Sequence, residues 1–219
     1  EWRAGAVAGS AIERLPVRQD AVPGASELRL RLAPSLASAL LGALDYLAQY
    51  PYGCTEQTMS AFLPDVFVAR ALRELELPNP RLERELPDMV QKGLNRLYGY
   101  QHDDGGWGWC RYDESDPWMT AYVVFGLLTA KRSGFPVNER FLNSGLDWLV
   151  RHMQQVAPPG GPERAPARER LYVLYVLSLA GRDGGLDQHL TNLYQRLNSL
   201  DASEVALLTS ALLARERAG

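Results

Sequence analysis

The chain reads as an all-α domain built of stacked antiparallel helix pairs and entered through a short β segment, and three observations carry that reading. From Ser35 onward apolar residues recur at helical spacing almost without interruption. Pro, Gly and Asn clusters break that pattern into segments of ordinary helix length. The breaks are short, and short turns between amphipathic helices force neighbours to run antiparallel. With 219 residues, of which 46% are hydrophobic and 22% charged, the chain is long enough for one sizeable core.

Residues 1–34 differ from the rest. Pro16, Pro23 and Pro34 break them, and Ser26-Glu27-Leu28-Arg29-Leu30-Arg31-Leu32 puts leucine on every second position, the pattern of a half-buried strand. Residues 35–219 form the helical domain, with about eight helices. The first spans Ser35 to Gln49 and is closed by Pro51; the second runs from Thr55 to about Leu75, before Pro78-Asn79-Pro80. Leu82 to Tyr100 follows, with Leu86, Val90, Leu94 and Leu97 on one face, so that face is core. After a glycine-rich loop come Asp116 to Ser133 and Asn138 to Gln155. A linker containing Pro158-Pro159-Gly160-Gly161-Pro162 leads to Pro166–Ala180, Leu186–Asn198 and Ala202–Arg217.

A net charge of −3 with no basic run argues against nucleic acid, because phosphate binding needs clustered Lys and Arg. No apolar stretch reaches the length of a membrane span, so direct membrane insertion is not expected. Glu1-Trp2-Arg3 carries neither an initiator Met nor a signal peptide, as expected of an excised or processed piece. Two cysteines, Cys54 and Cys110, allow one disulfide by count alone.

The chemistry concentrates in Tyr50-Pro51-Tyr52-Gly53-Cys54-Thr55-Glu56-Gln57-Thr58-Met59-Ser60. Cys54 precedes Gln57 by three residues at a helix start, the spacing at which side chains face each other across one turn. If the Cys54 sulfur displaces ammonia from the Gln57 amide, the two close an internal thioester. A thiol of ordinary pKa about 8.5 is a far better leaving group than an amine or alkoxide, so the product acylates without a cofactor or metal. Free N–H groups of the first turn after Gly53 would stabilise an oxyanion or the departing thiolate. Water competes as nucleophile, which calls for a dry pocket. Tyr50, Tyr52, Trp107, Trp109 and Trp118 are the expected shield. A lone Cys54 reads first as a small buried hydrophobe, a reading that the surrounding octapeptide reverses, and Glu56 reads as a first-turn carboxylate favoured by the helix dipole, part of the motif and not a catalyst.

The run Tyr-Pro-Tyr-Gly-Cys-Thr-Glu-Gln resembles the Cys-x-Glu-Gln thioester signature of the alpha-2-macroglobulin and complement family, and looks most like its bacterial members. Two later segments match in the same order. Gln101-His102-Asp103-Asp104-Gly105-Gly106-Trp107-Gly108 resembles a repeat signature of α/α-toroids, and Trp118-Met119-Thr120-Ala121-Tyr122-Val123 resembles the segment opening the next helix in thioester domains. The resemblance implies an α/α-toroid, unfinished within this chain, inserted into a β-domain whose lead-in is the strand near residue 28. It also implies a covalent trap in a broad-spectrum protease inhibitor, not an enzyme. A protease cuts a bait region elsewhere, the thioester is uncovered, and a lysine amine of the attacker is acylated by Gln57. Its parent would be a periplasmic or cell-surface protein of bacterial defence, with neighbouring β-domains as partners.

Complement-type domains that acylate hydroxyls carry a histidine between the Asp-Gly segment and the next helix. Here the stretch Cys110-Arg111-Tyr112-Asp113-Glu114-Ser115-Asp116-Pro117 has none, while His102 precedes the glycine turn and His152 and His189 lie on later helices. Direct aminolysis is therefore expected. Two other readings stay open: a toroid enzyme on isoprenoid substrates, drawing on Asp103, Asp104, Asp113 and Asp116 or on Cys110 with His102 for a metal, and an interaction domain whose thioester never forms.

Overall fold

A computed structural model describes residues 53–74, 79–158, 164–182 and 185–218, all within the unit Leu40–Gly219. The strand expected near residues 26–32 and the helix expected at Ser35–Gln49 lie outside the described residues. Those described are helical, with no strand among them: α1 Thr55–Glu74, α2 Pro80–Tyr100, α3 Pro117–Arg132, α4 Glu139–Val156, α5 Ala167–Leu179, α6 Leu186–Gln195 and α7 Ala202–Ala218. A 3₁₀ turn, Leu197–Ser199, joins the last two.

Local chemistry explains the boundaries. Pro80 and Pro117 occupy first-turn positions, where a missing N–H costs nothing, and the preceding Asn79 and Asp116 accept from Leu82 N and Met119 N at 3.1 and 2.8 Å. Before α7, Asp201 accepts from Glu204 N at 2.9 Å while Glu204 accepts from Asp201 N at 2.9 Å, a reciprocal cap. The helix expected to run from Leu186 to Asn198 stops at Gln195. Arg196 leaves helical geometry, and the Ser199 hydroxyl donates to the Arg196 carbonyl at 2.7 Å, a local bond that competes with continuing the helix.

The helices alternate in character. On α2 the buried residues Leu82, Leu86, Val90, Leu94 and Leu97 form one stripe, and α4 and α6 show the same one-sided pattern. Burial on α3 instead runs continuously from Val123 to Val124 and Gly126 to Ala130, and α5 is buried on most sides from Arg170 to Ser178. A helix apolar all round must be enclosed by others, whereas a one-stripe helix lies outside. Accordingly α1 packs on both α2 and α3, α3 on α4 and α5, and α5 most extensively on α7. These are the inner and outer layers of stacked helix pairs. Close approach of α1 to α3 depends on Gly126, where a Cβ would come within 2.6 Å of the Met59 side chain.

Candidate functional site

The loop between α2 and α3 is built around Trp107. Its indole is fully buried and Nε1 donates to the Leu97 carbonyl at 2.7 Å. Its backbone N–H donates to the Thr120 hydroxyl at 2.9 Å, and that hydroxyl donates to the Trp107 carbonyl at 3.1 Å. The Asp-Gly-Gly-Trp and Trp-Met-Thr-Ala-Tyr segments are thus two halves of one knot. Gly105 takes φ +92°, a left-handed conformation that a Cβ disfavours, and a Cβ there would meet the Ser144 carbonyl at 2.7 Å. Gln101 closes the base of the loop by donating to the Gly105 and Phe141 carbonyls, both at 2.9 Å.

Asp104 is the polar centre of the knot. It accepts from Gly106 N at 2.9 Å, Ser115 Oγ at 2.8 Å and Trp148 Nε1 at 2.9 Å, while His102 Nδ1 lies 2.9 Å from the same Ser115 hydroxyl. Partial burial pushes the Asp104 carboxyl up, but these three donors and the nearby His102 outweigh it and hold the carboxyl below its ordinary 3.8. Asp116 caps α3 and Asp113 accepts from Cys110 N at 3.0 Å, so the acidic residues of the loop serve separate local bonds. Among the described residues no three His, Cys, Asp or Glu side chains converge as a metal site would require.

This knot delivers the loop to the start of α1. Thr55 N donates to the Trp109 carbonyl at 3.0 Å. In the adjoining turn Gly53 N donates to Gln57 Oε1 at 2.9 Å, Gln57 N points at Cys54 Sγ at 3.4 Å, and Thr58 donates to the Cys54 carbonyl through N at 3.0 Å and Oγ1 at 2.9 Å. Cys54 and Gln57 therefore share one turn, with a backbone donor on each side chain. Cys54 is half-buried and a free thiol; Gly53 and Gln57 are exposed. Glu56 faces the Ser60 hydroxyl, which donates to it at 2.7 Å.

The proposed shield residues are placed very differently. Tyr50 and Tyr52 lie outside the described residues. Trp107 sits in the core behind the turn, Trp109 is 52% exposed beside it, and Trp118 is 37% exposed and stacked on Tyr172 with centroids 5.3 Å apart. Sequence reading passed over Tyr122. It lies one turn after Trp118 on α3, and burial, then the Glu56 carboxylate, push its hydroxyl up against a partial offset from Ser60. Tyr122 thereby joins α3 to the first turns of α1. Its i, i+4 spacing from Trp118 was the available signal. His102 belongs to the loop knot, and His152 pairs with Glu169 at 3.0 Å between α4 and α5.

Comparison with known proteins agrees with this arrangement. The model of the A-macroglobulin TED domain matches residues 30–158, more than half of the chain. The alpha-2-macroglobulin of Thermotoga maritima is 43% identical over 124 residues, covering 57% of this chain and 8% of that protein. Among solved structures, Salmonella alpha-2-macroglobulin reacted with methylamine superposes with a TM-score of 0.62 at 26% identity, over 85% of this chain and 12% of that one. Trypsin-activated alpha-2-macroglobulin from Escherichia coli gives 0.56 at 26% identity, over 76% and 12%. The chain thus spans about a tenth of the length of these relatives. With the Cys54–Gln57 turn, the tryptophan knot and the layered helix pairs all in place, this chain belongs to the thioester-domain family of the alpha-2-macroglobulins.

Proposed function

We propose that the chain is the covalent-trapping domain of a protease inhibitor, in which Cys54 Sγ and Gln57 Cδ form a thioester that a lysine amine of the attacking protease opens. One observation carries the reading: Cys54 and Gln57 lie on a single helical turn with Gly53 N on the Gln57 carbonyl oxygen and Gln57 N on the sulfur. As the amine nitrogen attacks Cδ, negative charge grows on Oε1, where Gly53 N already donates. A single such donor is worth about 2.7–4 kcal/mol in acyl transfer. The Cδ–S bond breaks, the thiolate leaves toward Gln57 N and the positive end of α1, and the amine proton passes to solvent or sulfur. An amide to Gln57 and a Cys54 thiol remain, so the domain reacts once and does not turn over.

The relatives reacted with methylamine and activated by trypsin support an amine acceptor and a protease trigger. His102 and His152 are already engaged elsewhere, which supports aminolysis without a histidine relay. Gln57 is exposed among the described residues, so water exclusion falls to Trp109, to Trp118, to the Tyr50 and Tyr52 segment and to neighbouring β-domains of a longer parent exported to the periplasm or cell surface. Intact mass and thiol titration before and after methylamine test the proposal. The expected result is a chain lighter by one ammonia that gains one methylamine and one thiol, with glycerol transferring less. A chain of unmodified mass that takes up no methylamine would refute it for this chain, and better transfer to glycerol would refute the preference for amines.

A further inference from the structure

The loop that reaches the thioester turn also carries the second cysteine. The hydrogen bond from Thr55 N to the Trp109 carbonyl, 3.0 Å, ties the peptide between residues 54 and 55 to the peptide between residues 109 and 110. Standard peptide dimensions across that bond keep the Cα atoms of Cys54 and Cys110 within about 8 Å as an upper limit. A disulfide needs about 4.4–6.8 Å. Both cysteines are free thiols, Cys54 half-buried and Cys110 exposed.

The segment bearing Cys110 can make the remaining adjustment. Residues 109–114 are exposed; the turn is held by Asp113 N on the Cys110 carbonyl at 3.3 Å and Cys110 N on Asp113 Oδ2 at 3.0 Å, and His102 Nε2 lies 3.1 Å from the Arg111 carbonyl. No buried packing has to be broken to swing the side chain toward Cys54. The sulfurs also sense each other: partial desolvation, the Asp113 carboxylate and the Cys54 sulfur together push the Cys110 thiol up. The Cys54 sulfur has the Gln57 backbone N–H pointing at it at 3.4 Å.

We infer that Cys110 is the resolving thiol of Cys54, so that the pair closes to a disulfide whenever the Cys54 sulfur is free and a low-molecular-weight disulfide is present. Cys54 thiolate attacks the small disulfide, forming a mixed disulfide and releasing one small thiolate. Cys110, losing its proton to solvent, then attacks the Cys54 sulfur and releases the second. Two electrons pass from the cysteine pair to the small disulfide. Bonding Cys54 into the mixed disulfide removes its negative charge, and with it one of the influences that keep Cys110 protonated.

The consequence rests on the thioester reading, although the disulfide chemistry does not. Sulfur in a thioester cannot also hold a disulfide, so the loaded and bridged states exclude each other. Oxidation before loading blocks thioester closure, and oxidation after acylation caps the freed sulfur. Cys54 thus has two alternative partners, Gln57 and Cys110.

The test first opens any thioester with methylamine, so that the Cys54 sulfur is free, then reduces the chain, removes the reductant and adds glutathione disulfide. Loss of both titratable thiols, a mass lower by two hydrogens, a peptide linking residues 54 and 110, and reversal by dithiothreitol are expected. Cys110→Ser should instead hold a stable glutathione adduct on Cys54. Persistent glutathione adducts on the unsubstituted chain, a bridge between two chains, or two thiols left free would overturn the inference. Methylamine separates the two ideas. A chain that never closes a thioester should still form the bridge, whereas one that releases a thiol with methylamine yet resists bridging sinks only the inference.

Discussion

Asp65 offers the sharpest energetic test of the packing. It lies on α1 between the core residues Phe62 and Val66 and is 3% exposed. Among the described residues no hydrogen bond or ion pair compensates its charge, and burial pushes its carboxyl from 3.8 up to about 7. An unfolded chain ionises this group near pH 4, while the folded chain keeps it neutral until about pH 7. Between those values folding carries a growing penalty, fully present above pH 7 and absent below about pH 4. At about 1.36 kcal/mol for each pH unit of that gap, the penalty reaches roughly 4 kcal/mol. Asp65→Asn keeps the shape and polarity of the neutral carboxyl and removes the ionisation. Urea unfolding followed by helical circular dichroism should show the variant equal to the parent near pH 4 and more stable by up to about 4 kcal/mol at pH 8. A variant less stable at pH 8, or a difference that does not change with pH, would mean that the carboxylate is ionised and paired, and the burial argument would fall.

Three further expectations follow from named contacts. Gly145→Ala places a Cβ within 2.6 Å of the Trp107 ring and 2.8 Å of Val124, so overpacking should cost about 1–3 kcal/mol in the same unfolding assay; an unchanged midpoint would show that the tryptophan is not seated as described. Asp104 has the opposite sign to Asp65. Its lowered carboxyl contributes stability that is present above the ordinary 3.8 and is lost as pH falls through its depressed value, so Asp104→Asn should destabilise at pH 7 and progressively less toward pH 3. Trp109→Ala removes an exposed ring from the loop that meets the Cys54 turn while leaving the carbonyl that Thr55 uses, and, if that ring is part of the shield, should shorten the lifetime of the thioester in buffer without changing stability by more than about 0.5 kcal/mol. An unchanged lifetime would place the water barrier elsewhere.

Helix positions were legible because periodicity and punctuation are local. Leu86, Val90, Leu94 and Leu97 mark the inward face of α2 within a single segment, and Asn79, Asp116 and Asn138 mark starts by the bonds their own side chains make. The Cys54–Gln57 pairing was legible for the same reason, since three residues of helix bring the two side chains together whatever surrounds them. The end of α6 was missed because Arg196 to Ser199 favour a local turn by bonds that apolar spacing does not register.

The sequence by itself determined the all-helical class, the approximate helix ends and the sharing of one turn by Cys54 and Gln57, because each depends on contacts spanning only a few residues. Tertiary structure alone decided which helices are enclosed and which lie outside, and that Trp107 is a core post while Trp109, two residues along the same loop, is exposed and offers its carbonyl to Thr55 N. It also decided that Tyr122 stands within electrostatic reach of Glu56 on α1 and that the loop carrying Cys110 meets the turn carrying Cys54. These facts join segments some fifty residues or more apart in the chain, and their geometry is set by how whole helices pack, which no local pattern encodes.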